Sequence, residues 1–341
     1  MNAHSTHAPE RDTGTFGQLE TAGFPAFRLE GMKTLALVTA VAAASHDEDL
    51  APLLDACARA GIQARAVAWD DASVSWQRFD AVLLRSPWDY TERLPEFLAW
   101  CERVSATAML INPLHVIRWN TDKHYLSDLL TLGVPVVPTV FVEPDAEPLD
   151  ALQGFLDGQS AEELVIKPAV SAGARDTQRY RRDQQFAAGN HLARLLDQQR
   201  SAMLQPYLPA VDSAGETALL YFDGRFSHAI RKGPLLLPGG SDQADPFALG
   251  DITACPAGAD ELALAERTLA ATGRLLQLEQ PLAYARIDLI RDADGRPRLL
   301  ELELTEPSLF FDQVPGSADR FAATLAARLA DDTVRTRTGS G

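Results

Sequence analysis

Asp288, Glu301 and Glu303 are spaced to meet on one face of a two-stranded hairpin. The strand Leu282-Ala-Tyr-Ala-Arg-Ile-Asp-Leu-Ile-Arg291 leads into the turn-rich Asp292-Ala-Asp-Gly-Arg-Pro297. The return strand is Arg298-Leu-Leu-Glu-Leu-Glu-Leu304. Residues two apart in a strand share a face. Arg286 therefore points with Asp288, and Glu301 with Glu303, while Leu300, Leu302 and Leu304 are expected to turn into a core. Pairing Arg291 with Arg298 sets Asp288 opposite Glu301 and Arg286 opposite Glu303. A slip of one residue would bury carboxylates, so the apolar face fixes this register. Clustered carboxylates repel and call for a cation, and hard oxygen donors suit Mg²⁺. A solvated polar face of an antiparallel sheet gives the same pattern.

Further candidates lie upstream. Leu164-Val-Ile-Lys-Pro168 places Lys167 in an apolar run, where a lysine needs an anionic partner. Ala169-Val-Ser-Ala-Gly-Ala174 follows, and such small residues let backbone N–H groups approach phosphate oxygens closely. Arg231-Lys232 ends a hairpin built on Asp223-Gly224 and could also meet phosphates. Arg85-Ser-Pro-Trp-Asp-Tyr90 follows a strand of an α/β layer, where ligands collect. There Arg85 either clamps a carboxylate between Trp88 and Tyr90 or pairs with a buried acid. No Gly-x-Gly-x-x-Gly follows the first strand and no P-loop motif occurs, so nicotinamide and P-loop sites are not supported.

The chain has 341 residues, 46% hydrophobic and 23% charged, with a net charge of -16. It can bury a large core and divide into two or three subdomains. The acidic balance argues against a nucleic-acid partner. No apolar run reaches membrane-spanning length, and no secretory stretch opens the chain. Cys57, Cys101 and Cys255 are odd in number and match no metal spacing, which suits reduced thiols in a cytoplasm.

The elements that must position these residues fall in two groups. Strands are expected at 33–39, 62–68, 79–85 and 108–112, alternating with helices at 47–60 and 94–104, a parallel α/β layer. A helix is expected at 122–132 and a strand at 134–142. Beyond the prolines at 144 and 148 come strands at 164–168 and 202–208 about a helix at 187–198. A hairpin follows at 217–230, then an unpatterned loop at 233–259 and a helix at 261–278. The chain therefore divides into a flexible extension (1–31), an α/β domain (32–115), a smaller lobe (116–205), a carboxylate-bearing lobe (206–330) and a flexible tail (331–341).

Taken in order, these residues resemble the ATP-grasp ligase superfamily. The elements that carry the likeness are Asp122-Lys123, Val165-Ile-Lys167, the loop 171–174, Gln205-Pro-Tyr-Leu208, Lys232, Arg286-x-Asp288 and Glu301-x-Glu303. The resemblance implies an α/β fold of α+β lobes, with an N-terminal preATP-grasp domain, that grips ATP between β-sheets. It implies that Lys123, Lys167 and Lys232 neutralise the phosphates and that Ser171, Ala172 and Gly173 cover them. Gln205, Tyr207 and Leu208 would hold adenine and Asp212 the ribose. Asp288, Glu301 and Glu303 would hold one or two Mg²⁺, which Mn²⁺ can replace. Many members carry asparagine at the position of Glu303; here the extra charge either binds metal or pairs with Arg286.

Arg85-Ser-Pro-Trp88, Gly215-Glu216, Phe226-Ser-His-Ala-Ile230 and Glu303-Leu-Thr-Glu-Pro-Ser-Leu309 narrow the likeness to the D-cycloserine synthetase branch, which closes O-ureido-D-serine. This implies a cytoplasmic, homodimeric ligase that activates a carboxylate as an acyl phosphate and releases ADP and phosphate. Arg286 and Lys232 would act in catalysis. Arg85, Ser86, Trp88, Glu216, His228, Glu306 and Ser308 would contact the small-molecule substrate; for His228 a satisfied strand histidine is the other reading. A small-molecule kinase and a peptide or glutathione-synthetase-like ligase use the same scaffold.

Overall fold

A computed structural model describes residues 32–41, 43–236 and 251–338, with side chains as far as residue 331. Four strands, β1 (Lys33–Thr39), β2 (Ile62–Ala68), β3 (Ala81–Ser86) and β4 (Met109–Ile111), form a parallel sheet in the order β2-β1-β3-β4. Leu35, Leu37 and Leu83 on one face pack with Leu53 and Cys57 of the helix Leu50–Arg59 and with Phe321 of the last helix, Ser317–Thr338. Ala36, Val38, Val82 and Leu84 on the other face meet Phe97, Trp100 and Cys101 of the helix Leu94–Ser105. Both faces are covered, which is why β1 and β3 read as continuous apolar runs rather than alternating ones.

A second sheet, in the order β5-β8-β6-β7, is antiparallel. It comprises β5 (Val140–Val142), β6 (Glu163–Pro168), β7 (Gln178–Arg181) and β8 (Ala202–Pro206). Leu164, Ile166 and Leu204 pack against the helices Pro148–Asp157 and Gln185–Asp197. By alternation, Val165 and Lys167 turn to the opposite face, and both line the functional cleft.

The third sheet has the order β11-β10-β9-β12-β13, all antiparallel. Its strands are β9 (Glu216–Phe222), β10 (Arg225–Lys232), β11 (Ile252–Cys255), β12 (Tyr284–Arg291) and β13 (Pro297–Glu303). Leu219, Ile287, Leu299 and Leu302 pack under the helix Ala259–Leu275. Two buried asparagines join the first sheet to the third. Asn112 donates to the carbonyls of Tyr284 and Leu304 and accepts from the Ala283 amide. Asn120, on the helix Leu114–Asn120, does the same for Leu302 and Leu304.

Four expectations change. The strand expected at 134–142 survives only as β5. Residues 135–137 run beside β13 instead, Leu299 donating to Pro135 and accepting from Val137, and Pro138 ends that pairing. The helices Leu114–Asn120 and Pro148–Asp157 and the strand β7 were not expected. The loop expected at 233–259 contains β11, and the part from 237 to 250 lies outside the described residues. The last helix runs to Thr338, past the tail boundary set at 331, and the extension 1–31 also lies outside the described residues. Among the described residues no helix is long and apolar enough to cross a membrane.

Candidate active site

β12 and β13 deliver Asp288 opposite Glu301 and Arg286 opposite Glu303, as the apolar pattern requires. The hairpin tip is out of that frame: Arg291 faces Pro297 and Leu289 faces Leu299. Leu300 is the extra residue that restores it. Such a bulge breaks strict alternation. Leu299 is buried in the core, whereas Leu300 lines the cleft, contrary to the expected core position. One oxygen from each of Asp288, Glu301 and Glu303 lies within 4.8 Å of the others.

The second and third sheets enclose a cleft of about 340 Å³. Cations converge on the carboxylates from three directions. Lys123, in the turn after Asn120, reaches Glu301 at 3.1 Å and donates to the Ser171 carbonyl at 2.8 Å. Lys232 closes β10 opposite Glu216, bonding Asp288 at 2.9 Å and pairing with Glu216. Arg286 donates to both oxygens of Asp288, at 2.9 and 3.2 Å through Nε, and also pairs with Glu303. Lys167 is buried beside Glu301 and Lys123.

Electrostatics follows from this packing. Burial pushes the Asp288 carboxyl up, but Arg286 and Lys232 outweigh it and hold the group well below the usual carboxylate range. Burial likewise works against ionisation of Glu301, and Lys123 and Lys167 outweigh it. Glu303 goes the other way. Burial, partly offset by Arg286 but reinforced by Glu301 and Asp288, pushes it up to about 8. Burial lowers Lys167 more than its acidic neighbours raise it. The donor set is all oxygen, and its convergence within 4.8 Å crowds negative charge that a divalent cation would relieve. Asp288, Glu301 and Glu303 therefore fit a divalent metal.

Next to Lys123, Ser171, Ala172 and Gly173 line the cleft as a loop with Ala174, the last two at positive φ. Gln205, Tyr207 and Leu208 line it with Val137, Val165, Ile290 and Leu300. The Gln205 amide donates to Thr139 Oγ1 at 2.8 Å. Asp212 is not among the lining residues. It accepts from the Tyr207 hydroxyl at 2.5 Å and from Arg179 at 3.5 Å. Arg179 also stacks on the Tyr207 ring at 3.5 Å, a contact that the charged stretch of β7 did not announce.

Trp88, Glu216, Glu306 and Ser308 line the cleft, with Tyr90, Asn120 and Phe310 beside them. Arg85, Ser86 and His228 do not. Arg85 is fully buried (0% exposed), held by Asp47 and Asp49 at 3.4 and 3.3 Å, and it donates to the Pro307 carbonyl at 2.9 Å. Ser86 bonds Thr39 behind the sheet. His228 bonds the Leu309 carbonyl at 2.8 Å. The expected substrate contact at Ser86 is replaced by its bond to Thr39, and those at Arg85 and His228 by support of the segment 304–311. Six successive carbonyls there each accept from a side chain: Leu304 from Asn112, Thr305 from Tyr284, Glu306 from Trp88, Pro307 from Arg85, Ser308 from Arg286 and Leu309 from His228. Asp49 accepts from the amides of Leu309, Phe310 and Phe311. Asp49 was missed because its partners lie some 260 residues away and nothing local marks it.

A family model described as the N-terminal domain of D-cycloserine synthetase DcsG matches residues 35–112. Over 299 residues the chain is 46% identical to the cycloserine biosynthesis protein DcsG of Streptomyces lavendulae, covering 87% of this chain and 99% of that protein. The crystal structure of D-cycloserine synthetase DcsG matches with a TM-score of 0.83 at 45% identity, over 87% of this chain and 99% of that one. A D-alanine–D-alanine ligase from Bacillus anthracis, complexed with ATP, matches at a TM-score of 0.62 and 15% identity, over 91% of this chain and 99% of that one, a likeness of fold alone. With three sheets in this arrangement and near-complete coverage of a relative at 46% identity, the chain belongs to the DcsG family of ATP-grasp ligases and is an ATP-dependent ligase.

Proposed function

We propose that the enzyme activates the carboxylate of a small amino-acid substrate as an acyl phosphate and closes it by attack of a nitrogen within the same molecule, displacing phosphate, as in ring closure of O-ureido-D-serine to D-cycloserine. In that closure the carbamoyl group on that nitrogen is also lost, by hydrolysis to carbon dioxide and ammonia. The observation that carries this reading is the 46% identity across 99% of a relative named for cycloserine biosynthesis. Lys123 and Lys167, with the loop 171–174, offset and cover the phosphates, and Gln205, Tyr207, Leu208 and Leu300 border the base. Mg²⁺ held by Asp288, Glu301 and Glu303 would supply charge compensation for phosphoryl transfer. Arg286 and Lys232 sit where charge develops on the reacting carboxyl. The chemistry needs positioning and electrostatics rather than a side-chain nucleophile. In keeping with this, burial pushes the Cys57 thiol up to about 12 and away from reactivity.

The test is ADP release with Mg²⁺-ATP and O-ureido-D-serine, with mass spectrometry of the products. A ring-closed product with ADP and phosphate supports the cyclo-ligase. A stable phosphorylated product would make the enzyme a kinase, and amide formation only with a second amino acid would make it an intermolecular ligase.

A further inference from the structure

The carboxylates that line the inner cleft are not equally served. Glu216 pairs with Lys232, Asp288 with Arg286 and Lys232, Glu301 with Lys123 and Glu303 with Arg286. Glu306 also lines this cleft and is only 8% exposed, yet it has no ion-pair partner among the described residues. Its side chain lies beside the Tyr90 hydroxyl, and Lys123 and Arg286 bear on it from beyond ion-pair distance. It also stands outside the cluster whose oxygens converge for a metal. A buried carboxylate that no cation contacts is costly, and such a cost persists where a ligand removes it.

The support of Glu306 is unusually rigid. Trp88 holds its carbonyl, Arg85 and Arg286 hold the next two, and Asp49 holds the amides that follow. These bonds fix where the carboxylate points and lower the ordering cost of binding. We infer that Glu306 is the anchor for the ammonium group of the amino-acid substrate, with Tyr90 as its positioning residue. An ammonium offers three donors and a compact charge, which suits a carboxylate that no cation contacts. In the ring closure proposed above, on which this assignment rests, the α-ammonium takes no part in bond making. Glu306 would therefore hold the substrate by a group that survives into the product.

The test is calorimetric binding of O-ureido-D-serine, and of its analogue lacking the α-amine, to wild type and Glu306→Gln in the presence of ADP and Mg²⁺. Wild type should prefer the amine-bearing compound by about 10- to 100-fold, the range of a hydrogen bond to a charged group. Glu306→Gln should lose that preference while binding the analogue and ADP as wild type does. Equal weakening toward both compounds, or an undiminished preference, would overturn the assignment. If wild type binds neither compound, the cyclo-ligase reading fails. The same comparison then passes to whichever amino acid supports ADP release, paired with its own des-amino form, and equal binding of that pair by wild type would overturn the ammonium anchor. Glu306→Asp should recover part of the preference, and a thermal melt of each variant separates lost recognition from lost fold.

Discussion

Acidification from about pH 7.5 to about pH 5 should destabilise the protein by roughly 2 kcal/mol at His228 alone. The ring is 5% exposed, and its Nε2 donates to the Leu309 carbonyl while Nδ1 faces Ser227. Burial depresses its pKa to about 4, with the Leu309 bond opposing and the nearby Arg320 charge adding to the shift. An unfolded histidine titrates near 6.5, so the unfolded chain takes up the proton first. The stabilisation is complete above about pH 6.5 and is lost progressively as the pH falls toward 4. The full shift is worth about 3 kcal/mol, of which roughly two-thirds is gone at pH 5. His228→Gln keeps an amide donor for Leu309 but has no proton to gain. Urea unfolding of both proteins at pH 7.5, 6 and 5 isolates the difference. The parent should lose about 2 kcal/mol more than the variant across that range. Parallel profiles would refute the reasoning, because His228 would then titrate alike in the folded and unfolded chains.

Arg85→Met should cost about 3–5 kcal/mol, because it strands Asp47 and Asp49 without their cation; a urea midpoint within error of the parent would return Arg85 to the list of exposed ligands. Lys167→Ala should weaken ATP binding at least about tenfold, measured by calorimetry, and unchanged affinity would remove it from the phosphate end. Glu301→Gln should abolish turnover while leaving the thermal melt intact, and near-normal turnover would end its metal role. Leu300→Ala tests the bulge: a cleft residue should raise the KM for ATP with less than about 1 kcal/mol lost, whereas a core leucine would cost about 2–5 kcal/mol.

Much of the site was legible because the carboxylates lie on strands whose opposite face is apolar. That alternation alone set Asp288 against Glu301. It failed at Leu300, since a bulge adds a residue without any local signature. Lys167 and Lys232 were recoverable as cations in strand and hairpin contexts and Lys123 only through the family resemblance, and the structure brings all three to the cleft. Arg85 and His228 were misplaced for a shared reason. Their residue types suit ligand contact, but their partners, Asp49 and the 307–309 carbonyls, are distant in sequence. Strand β7, Gln-Arg-Tyr-Arg, escaped notice because it is an edge strand whose arginines are held by Glu163 and Asp183 rather than by an apolar core.

The two buried asparagines have a consequence for how the site is held. Asn112 and Asn120 fasten the backbone of β12, β13 and the segment beyond to the first sheet, and Leu299 ties in residues 135–137. The carboxylate sheet is thereby bonded to the α/β layer at both of its carboxylate-bearing strands. Besides the Lys123 amide bonded to the Ala169 carbonyl, two strands of chain lead to the sheet β5–β8. One crosses between Val137 and Val140. The other runs from Tyr207, still tied to Glu163, to Gly215, whose φ of 70° and contact with the Lys232 carbonyl leave no room for a side chain. The strands that carry the carboxylates and the Glu306 segment are held by these asparagines to the first sheet, while Lys123 spans from Glu301 to the Ser171 loop.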